Sequence, residues 1–140
     1  MAAVEQERSL RRWTGAFPAE VTAVPLARRI VQSELGEWGW NLEDERVRDV
    51  LLVFTELTTN AIRHASGPGD VVRMQIDEIG NCCRIEVFDS RPDLPLLEVQ
   101  AACDDEHGRG LLLVQGLAHA MGEVVTVTSK KVWASVQLSV

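Results

Sequence analysis

The stretch that decides the fold runs from residue 47 to residue 65 and reads VRDVLLVFTELTTNAIRHA. Apolar residues recur in it at intervals of three and four, which is the spacing of one face of an α-helix. They are Val47, Val50, Leu51, Phe54, Leu57 and Ala61. We predict that this helix begins at an Asn41 N-cap, with Asp44 in its first turn, and ends before Ser66. Its apolar side should face the core.

The polar side of the same helix carries Glu56 and Asn60 one turn apart, with Arg63 near the same line. Two interpretations are open. The residues could form an ordinary solvated face, or they could form a site. In a site, the carboxylate would accept a proton, and the carboxamide oxygen would bind Mg²⁺, a hard ion that prefers oxygen ligands.

The segments around this helix predict strands and two more helices. Residues 12–17 precede Pro18 and resemble an edge strand, and residues 25–37 resemble a helix with Leu26, Ile30 and Leu35 on its apolar side. Alternating patterns at 72–76 and 83–87 flank a Gly80-Asn81 turn and predict a hairpin.

A third helix is predicted from about Gly110 to Met121, with Gly122 as its C′ residue. Residues 124–128 and 132–140 then alternate as a closing hairpin. The resulting order is β-α-α-β-β-α-β-β. We therefore expect an α+β fold, a two-layer sandwich with the helices on one face of a mixed sheet.

Asp89 ends the predicted strand 83–89 and shares the parity of the apolar Ile85 and Val87. If those two residues face the core, the Asp89 carboxylate does so as well, and a buried charge needs a hydrogen-bond donor. One interpretation is an aspartate that caps its own turn. The other is an acceptor for the exocyclic amine of adenine.

Residues 90–107 contain two prolines and five acids and show no clear period, which predicts a long functional loop. The loop ends at His107-Gly108-Arg109-Gly110-Leu111, where an apolar helix opens. Glycines allow close backbone approach, and the free amides of a helix N-terminus form an anion site. A loop hinge is the alternative. The motif is not a P-loop, because no Gly-Lys-Ser/Thr sequence follows.

Composition limits the possible classes of protein. The chain has 140 residues and is expected to form one domain, 1–140. Its net charge of −7 argues against nonspecific nucleic-acid binding, and no apolar run approaches the length of a membrane span. The polar start lacks a signal-peptide centre, so we expect a cytoplasmic protein. The three cysteines are expected to be reduced structural thiols.

Three segments together resemble the GHKL ATPases, the superfamily that includes the catalytic domains of histidine kinases. ELTTNAIRHA at 56–65 resembles the N-box, IEVFDSRPDLP at 85–95 the first Gly-box region, and HGRGLLLVQGLA at 107–118 the second. The resemblance covers almost the whole chain and implies the Bergerat fold with bound ATP and Mg²⁺.

Within that superfamily the chain resembles the actinobacterial anti-sigma-factor serine/threonine kinases. Such proteins bind a sigma factor and phosphorylate a STAS-domain antagonist. The resemblance implies that Asn60 binds Mg²⁺, that Glu56 is the base on the substrate hydroxyl, and that Asp89 recognises adenine. It also implies that the phosphates are surrounded by Gly108, Arg109, Gly110 and Leu111.

The resemblance further implies a homodimer, for which Trp13 and Phe17 would offer apolar surface on the edge strand. Two departures from the superfamily pattern stand out. Residues 89–93 replace Asp-x-Gly-x-Gly, and Ser129-Lys130-Lys131 stands where relatives often have Gly-Lys-Thr. The missing glycines favour an alternative, a regulatory protein with a weak ATP site that sequesters a sigma factor or STAS partner without kinase activity, whereas the intact Glu56 and Asn60 oppose it. A split histidine kinase is disfavoured, because no dimerisation helices with a phosphoacceptor histidine precede the domain.

Overall fold

The computed structural model describes residues 10–65, 69–89 and 106–138. The elements follow the predicted order, with one added 3-10 turn at Val21–Ala23. They are β1 (Arg11–Pro18), α1 (Val24–Glu37), α2 (Glu45–Ala65), β2 (Val71–Ile79), β3 (Cys82–Asp89), α3 (Glu106–Leu117), β4 (Ala120–Val125) and β5 (Lys130–Gln137). The predicted loop lies outside the described residues, except that its last two residues, Glu106 and His107, belong to α3.

The five strands form one sheet in the order β1-β2-β3-β5-β4, and each neighbouring pair is antiparallel. We expected a mixed sheet, and this detail is wrong. The strands β3 and β4, which α3 connects, run in the same direction, but they are not neighbours, because β5 lies between them in the sheet. Each of those strands therefore pairs with an antiparallel neighbour.

The helices cover one face of the sheet, as the α+β prediction requires. The long helix α2 packs against β2, β3 and β5 and contacts both other helices. Its predicted apolar stripe is buried throughout, with Phe54 and Leu57 fully enclosed. The inward residues of the sheet alternate along β3 and β5; they are Cys83, Ile85, Val87, Val132, Ala134 and Val136. Burying a large apolar side chain stabilises the fold by about 1.5–3 kcal/mol, so this layer holds the domain together.

Asp44, not Asn41, caps the long helix. Asp44 Oδ1 accepts hydrogen bonds from the backbone amides of Arg46 at 2.8 Å and Val47 at 3.4 Å. Asn41 Oδ1 instead accepts from the amide of Glu43 at 3.0 Å and closes the preceding turn. The predicted cap is wrong because the residue that directly precedes the first helical residue can reach the free amides.

The first helix turns a different face to the core from the one predicted. Ala27, Val31 and Leu35 are buried at four-residue spacing, whereas Leu26 is 49% exposed and Ile30 is 38% exposed. Only Leu35 of the predicted stripe lies inside.

The aromatic residues of the edge strand point inward. Trp13 and Phe17 pack against the core, and the Trp13 ring contacts Phe54 edge-on at 6.4 Å between centroids. A Cβ atom at Gly15 would fall 2.5 Å from the Trp13 ring, so the glycine makes room for the indole. Both side chains are partly buried, so they expose less apolar surface than expected for a dimer interface, and the homodimer stays a prediction.

The third helix begins and ends earlier than predicted, at Glu106 and Leu117, and Met121 and Gly122 belong to β4. Gly122 is not a helix cap. A Cβ atom there would lie 2.7 Å from Trp133 Nε1, so the glycine lets the indole lie flat across β4. The closing hairpin accordingly begins at Ala120.

None of the described helices is long and apolar enough to cross a membrane.

Candidate functional site

The site is built where α3 crosses the polar side of α2. A Cβ atom on Gly110 would lie 2.5 Å from Glu56 Oε2 and 3.7 Å from Asn60 Nδ2. Gly110 thus lies directly against the two polar residues of the long helix. A side chain at position 110 would require the flexible end of Glu56 to shift.

Asn60 is buried although it lies on the polar side of its helix. It is 2% exposed, and its Oδ1 atom has no hydrogen-bond partner among the described residues. A buried acceptor without a partner costs about 1–3 kcal/mol, which a bound ligand can offset. Glu56 is only partly buried, and Arg63 is exposed. The solvated-face interpretation therefore fails at Asn60 and holds at Arg63.

The chemistry of Asn60 fits Mg²⁺. This ion takes one or two oxygen ligands from a protein and the rest from water and substrate phosphates. A carboxamide oxygen without a protein partner is such a ligand. Within residues 10–65, 69–89 and 106–138, no three His, Cys, Asp or Glu side chains cluster closely enough to hold a metal.

Asp89 lies at the end of β3 and is 7% exposed, on the face that the helices cover. The inward position expected for Asp89 from its parity with Ile85 and Val87 is thus confirmed. Directly opposite on β5 is Lys130, which is fully buried. In the sequence, Lys130 stood out only as part of the Ser129-Lys130-Lys131 departure from the superfamily pattern. Its parity with Val132 and Ala134 was the signal that could have placed it inside.

The glycine motif is helical from its start. Because α3 begins at Glu106, the described amides that lack acceptors within the helix belong to residues 106–108. Gly110 is the fifth residue, so it is not the helix end that we predicted. Leu111 is fully buried, and its side chain packs in the core instead of facing a ligand. The side chains of Gly108 and Arg109 are outside the described part, and their phosphate contacts stay predictions.

The uncovered face of the sheet also buries acids, but each is paired. Asp77 accepts hydrogen bonds from Arg12 Nε at 2.6 Å and Gln75 Nε2 at 2.8 Å. Glu86 accepts from Gln75 Nε2 at 3.2 Å and lies 3.0 Å from Lys131 Nζ. The hydrogen bond with Asp77 raises the pKa of Arg12. A depression of about 480 Å³ lies on this face, beside Gln75, away from Asn60.

Residues 17–136, which include every candidate site residue, match the model of the histidine kinase-like ATPase domain. No curated protein matches the chain. The match covers more than half of the sequence, and the observed two-layer α+β fold agrees with it. The chain therefore belongs to the histidine kinase-like ATPase domain family.

Proposed function

We propose that this ATPase-family domain is a Mg²⁺-dependent protein serine/threonine kinase that also acts as an anti-sigma factor. Membership of the family supports ATP binding. The observation that carries the proposal is the position of Glu56, which is partly exposed, one turn from the buried Asn60, and packed against Gly110. The proposed base Glu56 and the proposed metal ligand Asn60 thus both lie against Gly110 of α3.

The reaction would transfer the γ-phosphoryl group of ATP to a serine or threonine hydroxyl. The hydroxyl oxygen bonds to the γ-phosphorus, the bond from that phosphorus to the bridging oxygen breaks, and ADP leaves with the electron pair. Glu56 receives the hydroxyl proton. Asn60 would hold Mg²⁺, and the bound ion would supply charge neutralisation at the phosphates. Gly110 keeps the α3 backbone close to Glu56, and positioning supplies much of the rate.

Asp89 would hold the other end of the nucleotide. Its carboxylate is buried at the end of β3 on the helix side of the sheet. A carboxylate only accepts hydrogen bonds, and the exocyclic amine of adenine donates them. This match supports the assignment of Asp89 as the adenine acceptor.

The partners follow from the resemblance to anti-sigma kinases, and one surface supports them. Helix α1 exposes Leu26 and Ile30 beside Arg28 and Arg29, an apolar patch on the outside of the domain. We place sigma-factor binding there and give the site at Glu56 a STAS-domain substrate. A homodimer and a cytoplasmic location belong to the same proposal.

Transfer of label from γ-labelled ATP tests the proposal. The protein is incubated with Mg²⁺ and a panel of STAS-domain proteins, and binding of sigma factors is measured in parallel by pull-down. We expect one STAS protein to be labelled and one sigma factor to be retained. Replacing Leu26 and Ile30 together by serine should remove sigma binding and leave labelling unchanged. Sigma binding without labelling of any STAS protein would instead support the non-catalytic regulatory protein.

A further inference from the structure

Lys130 is an unusual residue for the interior of a small domain. It is 0% exposed, and its Nζ atom is shielded from solvent. It lies on the helix-covered face of β5, in line with the apolar Val132 and Ala134. Lysine is almost never fully buried unless an anion accompanies it, because burial removes the hydration of its charge.

The anion directly opposite Lys130 in the sheet is Asp89. The two residues face each other in the register of β3 and β5, and both are buried on the same side. Residues in such pairs have their Cβ atoms about 4.5–5.5 Å apart, within reach of a lysine side chain. A buried cation therefore lies next to the carboxylate that the proposed function assigns to adenine.

Stability alone does not account for this arrangement. Replacing a buried ion pair by apolar residues is often neutral or stabilising, whereas removing one partner is unfavourable. Two residues of opposite charge, buried and opposite each other among Ile85, Val87 and Val132, thus point to a role for the charge itself. Adenine presents an amine donor at the position where guanine presents a carbonyl acceptor. An ionised acceptor distinguishes the two bases.

We propose that Lys130 is a positioning residue that keeps the Asp89 carboxylate charged and oriented, so that the site accepts adenine and rejects guanine. This inference rests on the proposed function, since it assumes that Asp89 contacts the base. It adds a residue that selects the nucleotide without touching the transferred phosphate.

The chain provides a matched control in the next residue. Lys131 points to the opposite face of the same strand, where its Nζ lies 3.0 Å from Glu86 and 5.9 Å from the Phe88 ring centroid. A Lys→Met substitution removes the same charge at either position and keeps an unbranched side chain. Only the substitution at position 130 removes the charge beside Asp89.

The experiment measures the Kd of ATP and of GTP, each with Mg²⁺, by calorimetric titration. Lys130→Met should weaken ATP binding by about 10- to 100-fold and bring it close to that of GTP. Lys131→Met should change neither value, and Lys130→Arg should preserve the preference for ATP. In an Asp89→Asn background, Lys130→Met should add little, because residues that act together are not additive.

Each outcome either supports or contradicts the positioning role of Lys130. If Lys130→Met keeps the ATP preference while Asp89→Asn loses it, the inference is wrong and the proposed function stands. If the wild-type protein does not bind ATP, both are wrong. If Lys130→Met alone does not fold, as judged by circular dichroism, the double variant with Asp89→Asn removes both charges. Affinity of the double variant below that of Asp89→Asn would then overturn the inference, and equal affinity would support it.

Discussion

The two faces of the sheet bury polar groups in different ways. On the uncovered face, Asp77 and Glu86 are each held by side chains of neighbouring strands. Under the helices, Asn60 Oδ1 is buried with no hydrogen-bond partner in the part of the chain that the structure describes, and so is Thr58 Oγ1. Both sets are nearly inaccessible to water, so burial alone does not separate them.

The difference indicates which polar groups serve the fold and which await a ligand. A buried group with partners adds about 0.5–1.5 kcal/mol per hydrogen bond to stability. A buried group without partners lowers stability until something binds it. On this criterion the uncovered face is structural, and we expect the surface between α2 and α3 to be functional. Substitutions on the two faces should therefore affect different measurements.

The largest effect should come from Glu56→Gln. The substitution keeps the size and helix propensity of the residue but removes the proton acceptor, so phosphorylation of the STAS partner should slow by about 10²- to 10⁴-fold. ATP affinity should barely change. Single-turnover transfer from labelled ATP measures the rate, and calorimetry measures the affinity. Equal rates for the wild type and the variant would make Glu56 a structural residue.

Asn60→Ala is the sharpest test of the unpartnered oxygen. It removes the proposed metal ligand, so Mg²⁺-dependent ATP binding should be abolished. Stability without nucleotide should be little affected, because Asn60 Oδ1 makes no hydrogen bond to the described residues. Calorimetric titration and thermal unfolding measure the two quantities. Unchanged ATP affinity would place the metal elsewhere, and loss of the fold would make Asn60 structural.

Gly110 and Gly116 lie on the same helix, α3, and their substitution distinguishes the effect of contact with Glu56 from the effect of helix propensity. At Gly110 a Cβ atom would meet Glu56 Oε2 at 2.5 Å, whereas at Gly116 no atom lies within 4 Å. Gly110→Ala should push the Glu56 carboxylate aside and slow phosphoryl transfer by about 10²-fold. Gly116→Ala should leave the rate unchanged and stabilise the helix by about 0.5–1 kcal/mol. Equal rates in both variants would show that Gly110 does not position Glu56.

Much of the fold could be predicted because its signals are local. The apolar stripe of α2 and the Gly80-Asn81 turn, with Gly80 at φ 59°, depend on neighbouring residues only. The errors arose where tertiary contacts decide. Gly122 resembles a helix cap in sequence, but the ring of Trp133 requires it within a strand. Leu26 is the more apolar residue, yet Ala27 lies inside and Leu26 outside.

The candidate site was predictable in part for the same reason. Glu56 and Asn60 could be placed one turn apart from helix geometry, and Asp89 could be placed inside from strand parity. Contact of Gly110 with Glu56 depends on how α3 crosses α2, which no local pattern contains. The pairing of Lys130 with Asp89 depends on β5 inserting beside β3, a consequence of sheet order.

Asp77→Ala provides the counterpart to Asn60→Ala on the uncovered face. Asp77 is 2% exposed and accepts hydrogen bonds from both Arg12 and Gln75. Its removal leaves those donors without their acceptor, so the free energy of unfolding should fall by about 2–3 kcal/mol. ATP affinity should stay at the wild-type value. Urea denaturation and calorimetric titration measure the two.

The control for Asp77→Ala is Arg12→Ala. The Arg12 side chain is 56% exposed, so solvent screens its charge, and its removal should lower stability by less than about 1 kcal/mol. Asp77 also keeps its hydrogen bond from Gln75 in that variant. If Asp77→Ala instead weakened ATP binding as strongly as Asn60→Ala, the two faces would not be independent. The presence of a hydrogen-bond partner would then not distinguish structural from functional buried polar groups in this domain.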